Sequence, residues 1–171
     1  IYRSASIIPL ALFFIPNSFL TTHYTDLAKH SFDKTYLIGF AKDYLKLFSV
    51  LSFGVGGFLY FMSEFIIVTL FGELYTEAAS LFQILVLGML GAFILRIPFG
   101  NMLASVGKSN WNAFVAFIIL VLNGILNYYA IYAWGIVGAA IVTSALLWIS
   151  GILSLALFSV YLKKKSLVKR T

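Results

Sequence analysis

Two ionisable side chains lie inside long apolar runs of this chain of 171 residues, and they are its first candidates for chemistry. Arg96 interrupts the run 81–105, and Glu64 interrupts the run 47–71. A charge placed in lipid costs at least ~2.5 kcal/mol even on permissive insertion scales, so a charge retained there usually has a partner or a function. A guanidinium holds a phosphate or pyrophosphate through two parallel hydrogen bonds. A carboxylate in such a place holds a proton or a cation.

Each of these two charges also has a simpler explanation. Arg96 lies about three-fifths of the way along its run, from where a long side chain either reaches the membrane surface or pairs with an internal carboxylate. Glu64 is equally compatible with a place at the membrane interface. We predict a substrate contact for Arg96 and a coupling-ion site at Glu64, with these alternatives open.

Three prolines, Pro9, Pro16 and Pro98, lie within the apolar runs. Each removes a backbone donor and crowds the preceding helical turn, which a membrane helix tolerates when neighbours or water satisfy the freed carbonyls. We predict a kink at each proline, either a static bend or a hinge.

The remaining polar residues do not form a recognisable reactive group. His23 and His30 lie in a polar segment without a metal-ligand pattern, and the absence of cysteine excludes disulfides and thiolate chemistry. Asn123 and Asn127 are four positions apart, and we expect them to bond to another helix. The sequence predicts no catalytic residue, no metal site and no cofactor.

The elements that position these residues are membrane-spanning helices. The chain is 61% hydrophobic and 11% charged, with a mean hydropathy of +0.98, whereas soluble proteins are about 25% charged. The stretch 109–162 has 54 residues without a charge, roughly 80 Å as one helix against a hydrocarbon core of ~30 Å. It must cross twice, and the aromatic and glycine residues of 132–135 predict the reversal.

The same test divides the whole chain into a transmembrane helical lobe and a tail. We predict an all-α fold, a polytopic bundle of about five spans within 1–162, followed by a basic tail at 163–171. The spans are 5–22, 47–71, 81–105, 111–131 and 136–162.

The cations predict which side of the membrane each connection faces. Ten lysines and arginines lie in the segment 23–46, in the turn at Lys108 and in the tail, whereas the connections 72–80 and 132–135 contain none. Positive residues mark cytoplasmic loops, so we predict a cytoplasmic C-terminus and, after five crossings, an external Ile1. The first residue is not methionine and no secretory signal pattern precedes the first span. We therefore expect a fragment whose upstream helices are missing.

Several short motifs give the chain a family resemblance. They are LFGELYTEAA at 70–79, PFGNMLASVGK at 98–108, GIVGAA at 135–140 and the basic tail. With these motifs the chain resembles the C-terminal half of Wzx-type O-antigen and polysaccharide flippases. These belong to the multidrug/oligosaccharidyl-lipid/polysaccharide exporter superfamily.

The resemblance implies the C-terminal lobe of a twelve-helix, MATE-like exporter in the bacterial inner membrane. Such an exporter moves an undecaprenyl-diphosphate-linked oligosaccharide across the membrane by alternating access and is not an enzyme. Its partners would be the lipid-linked oligosaccharide, the membrane and the missing N-terminal lobe, with no nucleic acid. The implied cationic cavity favours Arg96, and Asn101 in the same motif, as substrate contacts.

Other functions stay open at this point. The main alternative is an ion-coupled multidrug antiporter of the same superfamily, which Glu64 would favour if it lay buried beside a cation site. A membrane enzyme would need polar residues at helix ends or in long external loops, and the predicted external loops are short. A membrane subunit with only an interaction role is a third possibility.

Overall fold

The chain is all-helical over residues 1–168, the part that the computed structural model describes, with side chains described as far as Lys163. The tail residues 169–171 lie outside this part. The helices are α1 (Tyr2–Ala11), α2 (Phe14–Lys29), α3 (Lys34–Phe61), α4 (Ser63–Phe71), α5 (Ala78–Gly91), α6 (Ile97–Ser105) and α7 (Ser109–Val168). A 3-10 turn, Glu73–Tyr75, follows α4, and a π-helical turn, Ala92–Arg96, joins α5 to α6.

Four helices of the described residues are long and apolar enough to cross a membrane. They are Tyr2–Lys29, Lys34–Phe61, Ala78–Ser105 and Ser109–Lys163. The first three have 28 residues each, roughly 42 Å at 1.5 Å per residue, which exceeds a ~30 Å hydrocarbon core. These helices are consistent with the predicted membrane protein.

The fourth helix reverses direction at Gly135, within the predicted segment 132–135. Gly135 has φ 58° and ψ −140°, a conformation that a side chain makes costly. The two halves then pack together: Ala130, Val142 and Leu146 form one buried cluster. The described residues therefore form five helical segments of membrane-crossing length.

The ends of these segments gather at two opposite ends of the bundle. Tyr161 donates its hydroxyl to the carbonyl of Ser31 at 2.9 Å, which joins the last segment to the first turn. Ile1, Glu77 and Ile136 line one shallow pocket at the other end. We call the end at which Tyr161 bonds to Ser31 the lysine end, because the connections there carry lysines at 29, 34, 108 and 163. The opposite end carries Glu73 and Glu77, together with Arg3.

The polar segment 23–46 is helical over most of its length. Helix α2 continues to Lys29 and α3 begins at Lys34, so the connection is a short turn. Asp33 caps α3, because its Oδ1 accepts from the backbone N–H groups of Thr35 and Tyr36 at 2.9 and 3.1 Å. Helix α2 thus runs past the end of the apolar run 5–22. Helix α3 begins 13 residues before the predicted span 47–71 but ends at Phe61, so the predicted single span is divided between α3 and α4.

Glycines let α5 and the second half of α7 approach closely. A Cβ added to Gly88 would lie 2.7 Å from Ser144, and one added to Gly91 would lie 2.7 Å from the Trp148 ring. Ser144 and Trp148 also donate to the carbonyls of Ile84 and Leu87, at 2.7 and 2.9 Å. Small residues that bring helices together and side-chain bonds across the contact are typical of membrane helix packing.

Candidate functional site

The first helix is interrupted just before Pro16. Because Pro16 has no N–H, the carbonyl of Leu12 accepts from Ile15 instead, at 3.0 Å, and α1 ends at Ala11. Pro9, by contrast, lies buried inside the continuous helix α1. The break therefore lies at residues 12–13, one turn before the second proline.

A second interruption precedes Pro98. The backbone N–H of Ile97 bonds to the carbonyl of Ala92, five residues back, and this bond defines the π-helical turn. Pro98 then occupies the first turn of α6, where a missing N–H is tolerated. Single π-helical turns occur frequently at functional sites, and Arg96 is the last residue of this one.

Arg96 is partly buried and bonds to two polar side chains of α7. Its Nη1 donates to Oδ1 of Asn112 at 2.7 Å and lies 3.4 Å from Oγ of Ser154. These partners are 42 positions apart in the sequence, and the hairpin at Gly135 brings them together. No carboxylate of residues 1–163 lies within ion-pair distance of the guanidinium, so the predicted alternative of an internal ion pair is wrong within this part of the chain.

Gly100 makes room for the guanidinium. A Cβ at position 100 would lie 2.5 Å from Nη1 of Arg96 and 3.1 Å from Oδ1 of Asn112. Since residue 100 is one helical turn after residue 96, any side chain there would displace the arginine from its position.

The guanidinium lies in the wall of an open pocket of about 300 Å³. The pocket is lined by Asn17, Arg96, Ile97, Gly100, Asn101, Ala104 and Asn112. Two of these amides, Asn17 and Asn101, donate to carbonyls of their own helices at 2.8 and 2.9 Å. Their amide oxygens receive no hydrogen bond from the described residues, and they remain acceptors for a ligand hydroxyl. The pocket therefore offers one cation and neutral acceptors, without a carboxylate.

The structure brings Arg96 and Asn101 together and leaves Glu64 apart. Glu64 is exposed in the first turn of α4, where none of the described residues pairs with it. Its neighbour Ser63 accepts from Nε2 of Gln83 at 2.9 Å. Gln83 precedes Arg96 by 13 residues on the same long helix, roughly 20 Å along the axis.

The prediction for Asn123 and Asn127 is wrong. The Nδ2 of Asn127 donates to Oδ1 of Asn123 on the same helix, and neither side chain bonds to another helix within the described residues. His23 and His30 likewise contact carbonyls of their own helix, those of Phe19 and Asp26.

Sequence reasoning missed three of the polar residues around Arg96. Asn112 and Ser154 lie in the charge-free stretch 109–162, and Asn17 lies next to Pro16. Two amides, Asn110 and Asn112, lie early in the charge-free helix, and this pair is a signal that points to the region of Asn112 without selecting it. Ser154 has no such signal, because serines recur along the last helix and only the helix packing selects this one.

Comparison with known proteins adds no relative. No protein-family model, no curated protein and no solved structure matches this chain. The observations therefore support an all-helical protein with helices that are long and apolar enough to cross a membrane, and with a polar pocket around Arg96.

Proposed function

We propose that this chain is part of a flippase for an undecaprenyl-diphosphate-linked oligosaccharide, and that it contributes Arg96 and Asn101 to the substrate site. The observation that carries the proposal is the guanidinium of Arg96, which lies in the wall of an open pocket with an amide and a hydroxyl as its protein partners. A membrane segment retains an arginine at such a place at a considerable energetic cost.

The chemistry of the pocket suits a glycolipid with an anionic head. A diphosphate accepts paired hydrogen bonds from a guanidinium, and sugar hydroxyls donate to amide oxygens such as those of Asn17 and Asn101. The pocket opens on one side of helices whose outer surfaces are apolar. This arrangement suits a substrate whose polar head enters the protein and whose lipid tail stays in the bilayer.

Two helix interruptions next to this pocket support alternating access. The break at residues 12–13 is followed by Asn17, and the π-helical turn ends at Arg96, so both interruptions adjoin pocket residues. Interrupted helices at a substrate site are common in transporters. In the proposed mechanism the lobe bends at these points and exposes the pocket to the inner and the outer side in turn, with the lysine end in the cytoplasm of a bacterium.

The alternative, an ion-coupled multidrug antiporter, depends on Glu64. Its carboxylate is exposed on α4 and lies apart from the Arg96 pocket, and none of the described residues forms an ion pair with it. This geometry gives less support to a coupling-ion site than the pocket gives to an anion site.

The proposal is tested by the affinity of the chain, in lipid nanodiscs, for an undecaprenyl-diphosphate-linked glycan. The matched ligand is the same glycan on a phosphate-free lipid. We expect the diphosphate to bind at least tenfold more tightly, and Arg96→Gln to remove the difference, because charge-assisted hydrogen bonds contribute about 1.5–3 kcal/mol. Equal affinities for the two lipids would reject the proposed substrate.

A further inference from the structure

We propose that Tyr44 is a positioning residue for Arg96: its hydroxyl satisfies the backbone carbonyl that the π-helical turn leaves without a donor, and so fixes the side of the helix on which the guanidinium lies. This inference rests on the proposed function only for its consequence in substrate binding. Its structural content concerns the geometry of the pocket and has a separate test.

The unsatisfied carbonyl belongs to Phe93. In an α-helix it would accept from the N–H of Ile97, but that N–H bonds to the carbonyl of Ala92. The next residue, Pro98, has no N–H to offer. The Phe93 carbonyl therefore has no backbone donor at either following position, in a buried place where an unpaired carbonyl is costly.

Tyr44 supplies the missing donor from a neighbouring helix. Its hydroxyl donates to the Phe93 carbonyl at 2.9 Å, and the side chain is only 2% exposed. The ring is held by Phe48, stacked on it at 4.2 Å, and by Phe19 at 5.8 Å. The hydroxyl is therefore aimed by ring packing, and helix α3 is connected to the π-helical turn through this bond.

The π-helical turn decides where Arg96 points because it adds one residue to the helix. If the turn reverted to α-helix, the part of the helix that follows it would rotate by roughly 100° relative to the part that precedes it. Helix α5 is held against α7 at Gly88 and Gly91, and the π-helical turn itself is held at Gly151, where an added Cβ would lie 2.6 Å from Cβ of Leu95. A rotation of the part that follows the turn would therefore break the Gly151 contact and move Arg96. The guanidinium would then leave Asn112, and the pocket would lose its cation.

The first test measures the charge of the pocket without any substrate. The chain has no cysteine, so Ala104→Cys places a single thiol in the pocket wall. Its reaction rates with an anionic and a cationic methanethiosulfonate reagent are compared for the chain in lipid vesicles. The ratio of anionic to cationic rate is expected to be high, and Arg96→Gln gives its baseline.

Tyr44→Phe removes only the hydroxyl, and we expect it to bring this ratio most of the way to the Arg96→Gln baseline. The matched control is Tyr161→Phe, which removes another tyrosine hydroxyl bonded to a backbone carbonyl, that of Ser31, at the lysine end. The control is expected to leave the ratio unchanged. An unchanged ratio in Tyr44→Phe, or an equal loss in both variants, would overturn the inference.

A rescue experiment separates the bond from ring packing. Pro98→Ala restores an N–H that is able to reach the carbonyls of residues 93 and 94. If Tyr44 acts by donating to the Phe93 carbonyl, Tyr44→Phe is expected to change the ratio of anionic to cationic rate several-fold less when Pro98→Ala is also present. An identical change with and without Pro98→Ala would contradict the inference. A predicted change in the ratio, together with equal affinity for the two glycolipids, would support the inference and reject the proposed function.

Discussion

The two halves of the third long helix use glycine for different purposes. In α5, Gly88 and Gly91 remove side chains so that α7 packs directly against the backbone. Beyond the π-helical turn, Gly100 removes a side chain so that the guanidinium of Arg96 fits between the helices. The first half, which we call the closed half, packs directly against α7 at its glycines, and the second half, which we call the open half, borders the polar pocket of Arg96. The same residue type therefore serves stability in one half and a site in the other.

The largest effect on stability is expected in the closed half. Gly91→Ala places a Cβ 2.7 Å from the Trp148 ring, and such overpacking typically costs about 1–3 kcal/mol. Unfolding in mixed detergent measures the loss. The matched control is Gly57→Ala, where the Cβ meets nothing within 4 Å and helix propensity improves by up to ~1 kcal/mol. Equal stability of the two variants would contradict the close packing.

The same substitution in the open half is expected to change binding rather than stability. In Gly100→Ala the new Cβ would lie 2.5 Å from Nη1 of Arg96. The arginine side chain is flexible enough to move away from the new Cβ into the pocket. We expect about a tenfold loss of affinity for the diphosphate glycolipid, or ~1.4 kcal/mol, with little change in unfolding. A loss of stability as large as that of Gly91→Ala would remove the distinction between the halves.

A smaller loss of affinity is expected when the guanidinium loses its closest partner. Asn112→Ala removes the acceptor at 2.7 Å from Nη1, and one side-chain hydrogen bond contributes about 0.5–1.5 kcal/mol. Titration with the glycolipid should show a few-fold weaker binding. Asn110→Ala, an exposed amide at the start of the same helix, serves as control and should bind as the unmodified chain does.

The smallest effect on glycolipid affinity is expected at Glu64, because it lies outside the pocket. Glu64→Gln should leave this affinity within twofold. In a complete transporter that contains this segment, unchanged dependence on a proton or sodium gradient would also reject the coupling-ion role. Weaker glycolipid binding in Glu64→Gln would show that the site extends beyond the Arg96 pocket.

Hydropathy and charge predicted the large features of the fold. The all-helical class and the membrane-crossing helices follow from apolar runs that exceed the thickness of a bilayer. The reversal near Gly135 follows from a charge-free stretch too long for one crossing. Arg96 could be chosen as a candidate site residue because a charge inside such a run is rare.

The finer features were not predictable, since they depend on packing between distant parts of the chain. Pro98 indicated a kink, but nothing in its neighbours distinguishes a bend from the π-helical turn that the structure contains. In the sequence Tyr44 is one more residue of an amphipathic helix face, and only the structure shows that its hydroxyl bonds to the Phe93 carbonyl. The bond between Asn123 and Asn127 was assigned to the wrong partner, because a shared helix face permits a bond within the helix as readily as one across it.

The most direct test of the central claim is a dipolar contact between Arg96 and the diphosphate, measured by solid-state NMR on the chain in bilayers of phosphorus-free galactolipids, so that the bound glycolipid is the source of ³¹P. With arginine labelled by ¹⁵N and the glycolipid bound, a guanidinium bonded to phosphate at about 2.8 Å between nitrogen and oxygen gives strong dephasing of its signal by ³¹P. We expect this dephasing in the unmodified chain and its loss in Arg96→Gln. No dephasing in the unmodified chain, or dephasing that persists in Arg96→Gln, would contradict the account.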